Sequence, residues 1–443
     1  MSRNLASAGL GLALVLALAG PARADEPAVA GTGTGRVYGS STTILMMREV
    51  LDPRDPTTVL YQAPFYEYVT LGGDDLGTPG FSFHVTGFGG VNATSAKQMD
   101  QVWRGTDWTD ASRFSGDVLV GTLEYHTPKN LFFVRAGRQV LYEGAGANVM
   151  MDGVYVRVRP DIALEISAFG GWVPYPQFDY QTGRAVYGGR VAYNPWDWGR
   201  IGVSYVEERQ ALEGDSTRSR SNLGIDYDFR RWRQFELTGA LVVDLIGLGL
   251  QENRTYATVN FDEGVSLTLD YGLFNPSALI PKTSIFSVFN NSHYHALGMD
   301  LNYRGNGWMG IDGYFRWFFY GGGDNGYQAG LKPTLTFGKG REGMVGVEAS
   351  RLKNIDNGYW EARAFGTYRP HPSVDLTANV ENYFYDQAFK GYQRSHIVGL
   401  TAGWEAFKGG RIQGDFLVMV NPEFAHSLTG MIKFTYAFQA NVK

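Results

Sequence analysis

The residues with most chemical potential in this chain are charged, and they come at alternate positions. Tyr155, Arg157 and Arg159 fall on one side of a run in which Val154, Val156 and Val158 take the other. Side chains two residues apart on a strand share a face, so Arg-x-Arg concentrates positive charge within about 7 Å. After Pro160-Asp161 the pattern repeats, with Glu165 and Ser167 opposed to Ile162, Leu164, Ile166 and Ala168. The same parity selects Arg135, Arg157, Arg159, Glu165 and Arg190 early in the chain. It selects Asp226, Asp228, Glu236, Asp244, Asp270 and Asp300 in the middle, then Asp312, Arg316, Glu348, Glu361 and Arg363, followed by Glu381 and Lys433. Placed in order around a ring of strands, these residues make a basic arc facing an acidic arc. Opposed charges across a low-dielectric opening steer charged solutes, and arcs of charge are how pores select. They are the candidate pore-lining residues.

Other chemistry finds little support. Cysteine is absent, which excludes disulfides, thiolate catalysis and Cys-ligated metals. His293 and His295 flank Tyr294 but lack a third ligand at local spacing. Gly72-Gly73-Asp74-Asp75 and the glycine-rich stretch at 321–324 do not match an EF-hand. No catalytic set stands out, and neither a metal nor a cofactor is implied. A net charge of −5 and the lack of a basic stripe argue against nucleic-acid binding.

The elements that must carry the charged face are strands. Residues 1–24 read as a signal peptide: Arg3, an apolar run over 5–20, then Ala22-Arg23-Ala24. No later segment is long and apolar enough for a transmembrane helix; the best, residues 237–250, is broken by Asp244. An exported chain without a helical span can still live in a membrane as a closed β-barrel, where every backbone group is paired. From Phe81 onward, apolar and polar residues alternate in about 20 segments, most near the 9–11 residues of a tilted spanning strand. Leu223, Ile225, Tyr227 and Phe229 share one face, as do Val265, Leu267, Leu269 and Tyr271. Tight turns at Pro128-Lys129, Pro160-Asp161 and Asp262-Glu263 alternate with longer connections over 93–116, 142–151, 172–183, 209–219 and 274–293. Short turns at one end and long loops at the other mark an outer-membrane barrel. Tyr193, Trp196, Trp198 and Trp404 suit its interfacial girdles, and Phe434, Tyr436 and Phe438 form one face of a closing strand before the chain runs on through 439–443.

The expected architecture is therefore all-β: one antiparallel up-and-down transmembrane barrel of about 20 strands, within 18–22. Residues 1–24 are the signal peptide, 25–80 a lead with a possible first hairpin, and 81–443 the barrel. The doubtful pair, over 37–48 and 61–71, would raise the count to 22 and keep both ends at the short-turn end.

One position breaks the parity. Arg135 and Arg138 have opposite parity, and an arginine facing mid-bilayer lipid costs about 2–4 kcal/mol. Either Arg138 snorkels at the interface or a bulge at Gly137 resets the register. Around it, Gly137-Arg138-Gln139, then Gly144, then Asp152-Gly153 before an alternating strand, resembles a hairpin of Gram-negative porin-like proteins, the alginate-export porins among them. The resemblance covers about 30 residues and implies an outer-membrane barrel that passes small or polymeric solutes. Ala145-Gly146-Ala147-Asn148 stands where alginate exporters carry an Arg-rich segment.

The functional expectation is an outer-membrane porin for passive passage of small hydrophilic, charged solutes. Its partners would be outer-membrane lipid and those solutes, with a homotrimer or a periplasmic protein partner also open. The alternatives are a barrel serving as scaffold or sheath for a secretion or electron-transfer assembly, and a barrel-borne surface enzyme or adhesin. The stretch over 274–293 carries Leu279, Ile280, Ile285, Phe286, Val288 and Phe289, apolar for an outer loop. It is expected either to fold into the barrel or to pack on other loops or a partner.

Overall fold

A computed structural model describes residues 35–442 except 52–58, 93–113, 162, 175–183, 213–214, 233, 263, 276–292, 306, 339, 355–356, 390 and 421–426. The chain runs β1 (Gly35–Leu51), β2 (Val59–Gln62), β3 (Pro64–Asp74), β4 (Phe81–Asn92), β5 (Phe114–His126), β6 (Phe132–Glu143), β7 (Ala147–Asp161) and β8 (Leu164–Trp172). It continues as β9 (Arg184–Trp196), β10 (Gly199–Leu212), β11 (Asp215–Trp232), β12 (Phe235–Asp244), β13 (Gly249–Asp262), β14 (Val265–Phe274), β15 (Tyr294–Gly305) and β16 (Met309–Tyr320). The last are β17 (Asn325–Phe337), β18 (Gly343–Lys353), β19 (Gly358–His371), β20 (Val374–Phe389), β21 (Tyr392–Phe407), β22 (Gly410–Val420) and β23 (Ser427–Val442). β2 and β3 both pair with β1 and are one strand interrupted at Ala63. The sheet therefore has 22 strands, each antiparallel to the next, and β1 pairs with β23 to close it.

The architecture is the expected barrel, but it begins at Gly35 rather than Phe81. The poorly patterned stretches over 37–48 and 61–71 are wall. Their alternation is weak because Ser41, Thr43 and Glu67 interrupt the outward face. The residues after Phe438 also stay in the ladder, from Tyr38↔Gln439 to Gly35↔Val442.

The alternation assigns the two faces. Leu45, Val69, Val154, Ile166, Val203, Leu269 and Leu301 are 37–51 % exposed and point outward. On the other face, side chains two strands apart meet. Arg190 on β9 reaches Asp226 on β11, and Arg200 on β10 reaches Glu165 on β8. Arg411 on β22 reaches Asp375 on β20. Side chains two strands apart approach more closely on a concave surface, and the apolar cluster of Tyr155, Phe169, Val186 and Val206 is buried on this same side, so this polar face is the interior.

The ends of the barrel are less asymmetric than the loop pattern implies. Residues 245–248 and 321–324 make tight turns at the end where long connections were expected. Residues 142–151 are no loop: β6 runs to Glu143 and β7 starts at Ala147. Likewise β10 and β11 extend to Leu212 and from Asp215 into the 209–219 connection. The apolar stretch over 274–293 lies almost wholly outside the described residues.

An in-folded hairpin as the candidate functional site

The arms of the β6–β7 hairpin alternate as any strand does, but they lose their outer neighbours. The β5–β6 ladder stops at Gly121↔Arg138, and the β7–β8 ladder stops at Asp152↔Trp172. Beyond those pairs, residues 139–143 and 147–151 pair as strands only with each other, up to Glu143↔Ala147. Here the arm has left the wall.

Its destination is the barrel interior. Leu141, Ala147, Val149 and Met151 pack with Tyr155, Phe169, Val186 and Val206, all at most 6 % exposed. Burying each large side chain of such a cluster is worth about 1.5–3 kcal/mol, which holds the arm against β7–β10. At the tip, the Gly146 amide donates to Ser204 Oγ at 2.9 Å. Arg220 on β11 donates to the carbonyls of Asn148 and Gly146 at 3.0 and 3.2 Å. A Cβ on Gly146 would stand 2.9 Å from the Gly224 amide nitrogen, so glycine permits this backbone contact. Glu143 accepts from Tyr155 Oη at 2.6 Å and from Ser167 Oγ at 2.9 Å, tying the outgoing arm to the wall.

The Gly-Arg-Gln…Asp-Gly motif is the hinge of this arm. Gly137 has φ +119°, and a Cβ there would lie 2.0 Å from the Gly121 carbonyl oxygen. The β5–β6 and β6–β7 ladders nevertheless keep their register through it. Neither expected resolution for Arg138 occurs: no bulge resets these ladders, and the side chain does not snorkel. It is 7 % exposed, because the backbone bend lets it sit between β5 and β7. Its guanidinium forks onto Asp152 (Nε–Oδ1 2.8 Å, Nη2–Oδ2 2.9 Å). Nη1 donates to Asp117 Oδ1 at 2.9 Å and to the Val118 carbonyl at 2.7 Å. A forked arginine–carboxylate pair is among the stronger polar contacts available. Gln139, 1 % exposed, donates to the Gly153 carbonyl at 3.1 Å.

Around the interior, the charges that the sequence divides into two arcs meet in clusters. Arg135 pairs with Glu124 at 2.7 Å and stacks on Phe133. Arg157 donates to Asn130 Oδ1 at 3.2 Å and stacks on the same ring. Glu165 receives Arg159, Arg200 and Arg190 at 2.7, 3.1 and 3.5 Å, and Arg190 also holds Asp226 at 2.5 Å. Asp228 and Glu236 share Arg230 at 3.1 and 2.9 Å. Asp270 and Asp300 share Arg316 at 3.4 and 3.1 Å. Asp312 has Arg304 and Lys332 at 2.7 and 3.3 Å. Arg363 reaches Glu381 at 3.3 Å and Glu348 at 3.9 Å, while Glu361 takes the Ser350 hydroxyl at 3.0 Å. Asp244 serves the rim instead, its carboxylate accepting the amides of Ile246 and Gly247 at 2.9 and 3.1 Å. His295 is bonded to Tyr271 Oη at 2.8 Å, and no metal-holding group of side chains forms among the described residues.

The residues that shape the hairpin were not in the candidate set: Glu143, Asp152, Arg220, Ser204 and Gln139. Their visible signals in the sequence are the parity conflict at Arg138 and the Gly-Arg-Gln…Asp-Gly motif, which holds Gln139 and Asp152 themselves.

No family model and no curated protein matches the chain. Solved structures do. The siderophore receptor PirA of Pseudomonas aeruginosa aligns over 92 % of this chain and 81 % of its own, with TM-score 0.57 and 12 % identity. A mutant ferric enterobactin receptor PfeA of the same organism aligns over 90 % and 80 %, with TM-score 0.58 and 10 % identity. P. aeruginosa OpdK, solved with vanillate, aligns over 92 % and 99 %, with TM-score 0.47 and 9 % identity. The likeness to the two receptors is one of fold: a large closed barrel of the outer-membrane type.

Proposed function

We propose that the chain is an outer-membrane channel through which small hydrophilic, charged solutes diffuse, and that the in-folded β6–β7 hairpin sets the width of the passage. The observation that carries this reading is an arm that abandons both wall neighbours and is packed inside the barrel. An antiparallel barrel with an apolar outer face belongs in a bilayer, and one of 22 strands encloses a wide lumen. Such a lumen discriminates among solutes only if something fills part of it. The arm is the filling element found among the described residues, and its free face presents Tyr142 and Met150, 61 % and 38 % exposed. The paired clusters along the interior supply a polar path in which neither sign of charge dominates locally. The resemblance of the hinge motif to alginate-export porins supports the same class of activity. Outer-membrane lipid and the solutes are the partners that this reading requires.

Planar-bilayer recording tests it. The intact protein should give stable open channels. Replacing residues 140–150 by an Asn-Gly turn, a common two-residue hairpin connection, should raise single-channel conductance several-fold. A barrel that never conducts, or one whose conductance ignores the shortened arm, overturns the reading.

A further inference from the structure

Most arginines described on the interior wall hold a carboxylate. Arg48 on β1 holds none. Leu45 and Met47 are exposed and point outward, so the alternation turns Arg48 inward. Gln62 on β2 stands opposite it on one side and Thr429 on β23 on the other. Arg48 Nε donates to the Gln62 side-chain oxygen, and no ion pair engages the guanidinium among the described residues. The acidic side chains nearest along these strands face away. Glu49 follows Arg48 on the outward parity, and the outward Glu67 takes the hydroxyls of Ser41 and Thr43.

Gln62 adds a second donor without an acceptor. The residue is 4 % exposed, and its Nε2 is buried with no hydrogen-bond partner. A buried donor left unpaired is expensive, and so is a cation drawn from water without a counter-charge. Both sit on adjacent strands at one inward row. Two rows further in, Lys433 on β23, Ile44 on β1 and Tyr66 on β3 stand abreast. Lys433 likewise holds no ion pair among the described residues. The wall across β23, β1 and β2 therefore offers positive charge and unused N–H groups, where the clusters elsewhere are paired.

We propose that Arg48 and Gln62 form a docking site for the carboxylate of an anionic solute, with Lys433 as the next cation along its path. A carboxylate has two in-plane oxygens and no proton to donate, and a guanidinium edge matches it with parallel N–H groups. Gln62 holds Arg48 by Nε, which leaves the Nη groups for the solute and sets the amide Nε2 beside them. Lys433 follows about 14 Å along the wall, four residues at strand spacing. Arg48 lies three residues from the end of β1, at the end of the barrel where the longer connections fall. The inference rests on the channel reading and gives its solute a sign, while the binding itself requires no conduction.

Succinate is the probe. Saturation-transfer NMR on the full chain in nanodiscs should show contact with succinate and none with ethanolamine. Gln62→Glu places a carboxylate of the chain itself against Arg48. It completes the ion pair without emptying the site, and should weaken succinate binding at least ten-fold. Arg48→Gln should weaken it as much, and Arg254→Gln on β13 should leave it unchanged. No succinate contact with the intact protein, contact that survives both Gln62→Glu and Arg48→Gln, or equal contact with ethanolamine overturns the proposal. Bilayer recording of the same preparations keeps the two readings apart. A barrel that binds succinate at Arg48 but never conducts upholds the site and sinks the channel, and a conducting barrel indifferent to succinate sinks the site alone.

Discussion

The wall from β5 to β11 and the wall from β12 to β23 are made of similar strands, yet only the first has a core. Eight buried apolar side chains gather where the hairpin lies against β7–β10. From β12 onward, the buried apolar residues among those described are Val242 and Ala296. The difference shows what a membrane sheet lacks. With lipid on one side and water on the other, a single layer buries nothing against itself, and a core requires a second layer. The hairpin supplies that layer only along β7–β10, four of the 22 strands; the other interior wall relies on ion pairs.

Substitutions should separate the two walls by size of effect. Arg138→Ala removes the guanidinium that Asp152 and Asp117 share at a site 7 % exposed, and breaking a buried pair costs about 3–5 kcal/mol. Urea unfolding in lipid vesicles should show that loss, and bilayer recording should show larger or noisier conductance as the arm loosens. Met151→Ala empties part of the hairpin core and should cost about 2–4 kcal/mol in the same assay. Arg254→Ala removes an ion pair on the opposite wall, where Arg254 is 57 % exposed beside Glu252, so the change should stay within about 0–1 kcal/mol. Equal losses at Met151 and Arg254 would erase the distinction between the walls.

The barrel was legible because period-two alternation is local. Strand type, closure and approximate count follow from runs such as Val265-Leu267-Leu269-Tyr271 without any knowledge of neighbours. The first hairpin was obscured by Glu67, which makes an outward row look inward. The hairpin arm has its own trace in the sequence. Leu141, Val149 and Met151 are apolar on the parity that carries Arg135, Tyr155 and Arg157 elsewhere on β6 and β7. Apolar residues on the interior face require something to pack on. Ion-pair partners were not legible, because they depend on register across strands: Arg190 and Asp226 lie 36 residues apart and meet over an intervening strand. The charge pattern alone therefore suggested two arcs where the fold makes local pairs.

The seam between β1 and β23 governs how this molecule can be made. Its ladder runs from Gly35↔Val442 to Arg48↔Thr429, so the first wall strand of the chain waits for the final one. Until then every partial sheet has two unpaired edges, each a template for other chains. Contacts so distant in sequence are late and slow to form, and the unfinished polypeptide needs shelter for the whole interval. Truncation before Ser427 would not yield a smaller barrel. It would leave an open ribbon whose leading edge has lost its only mate.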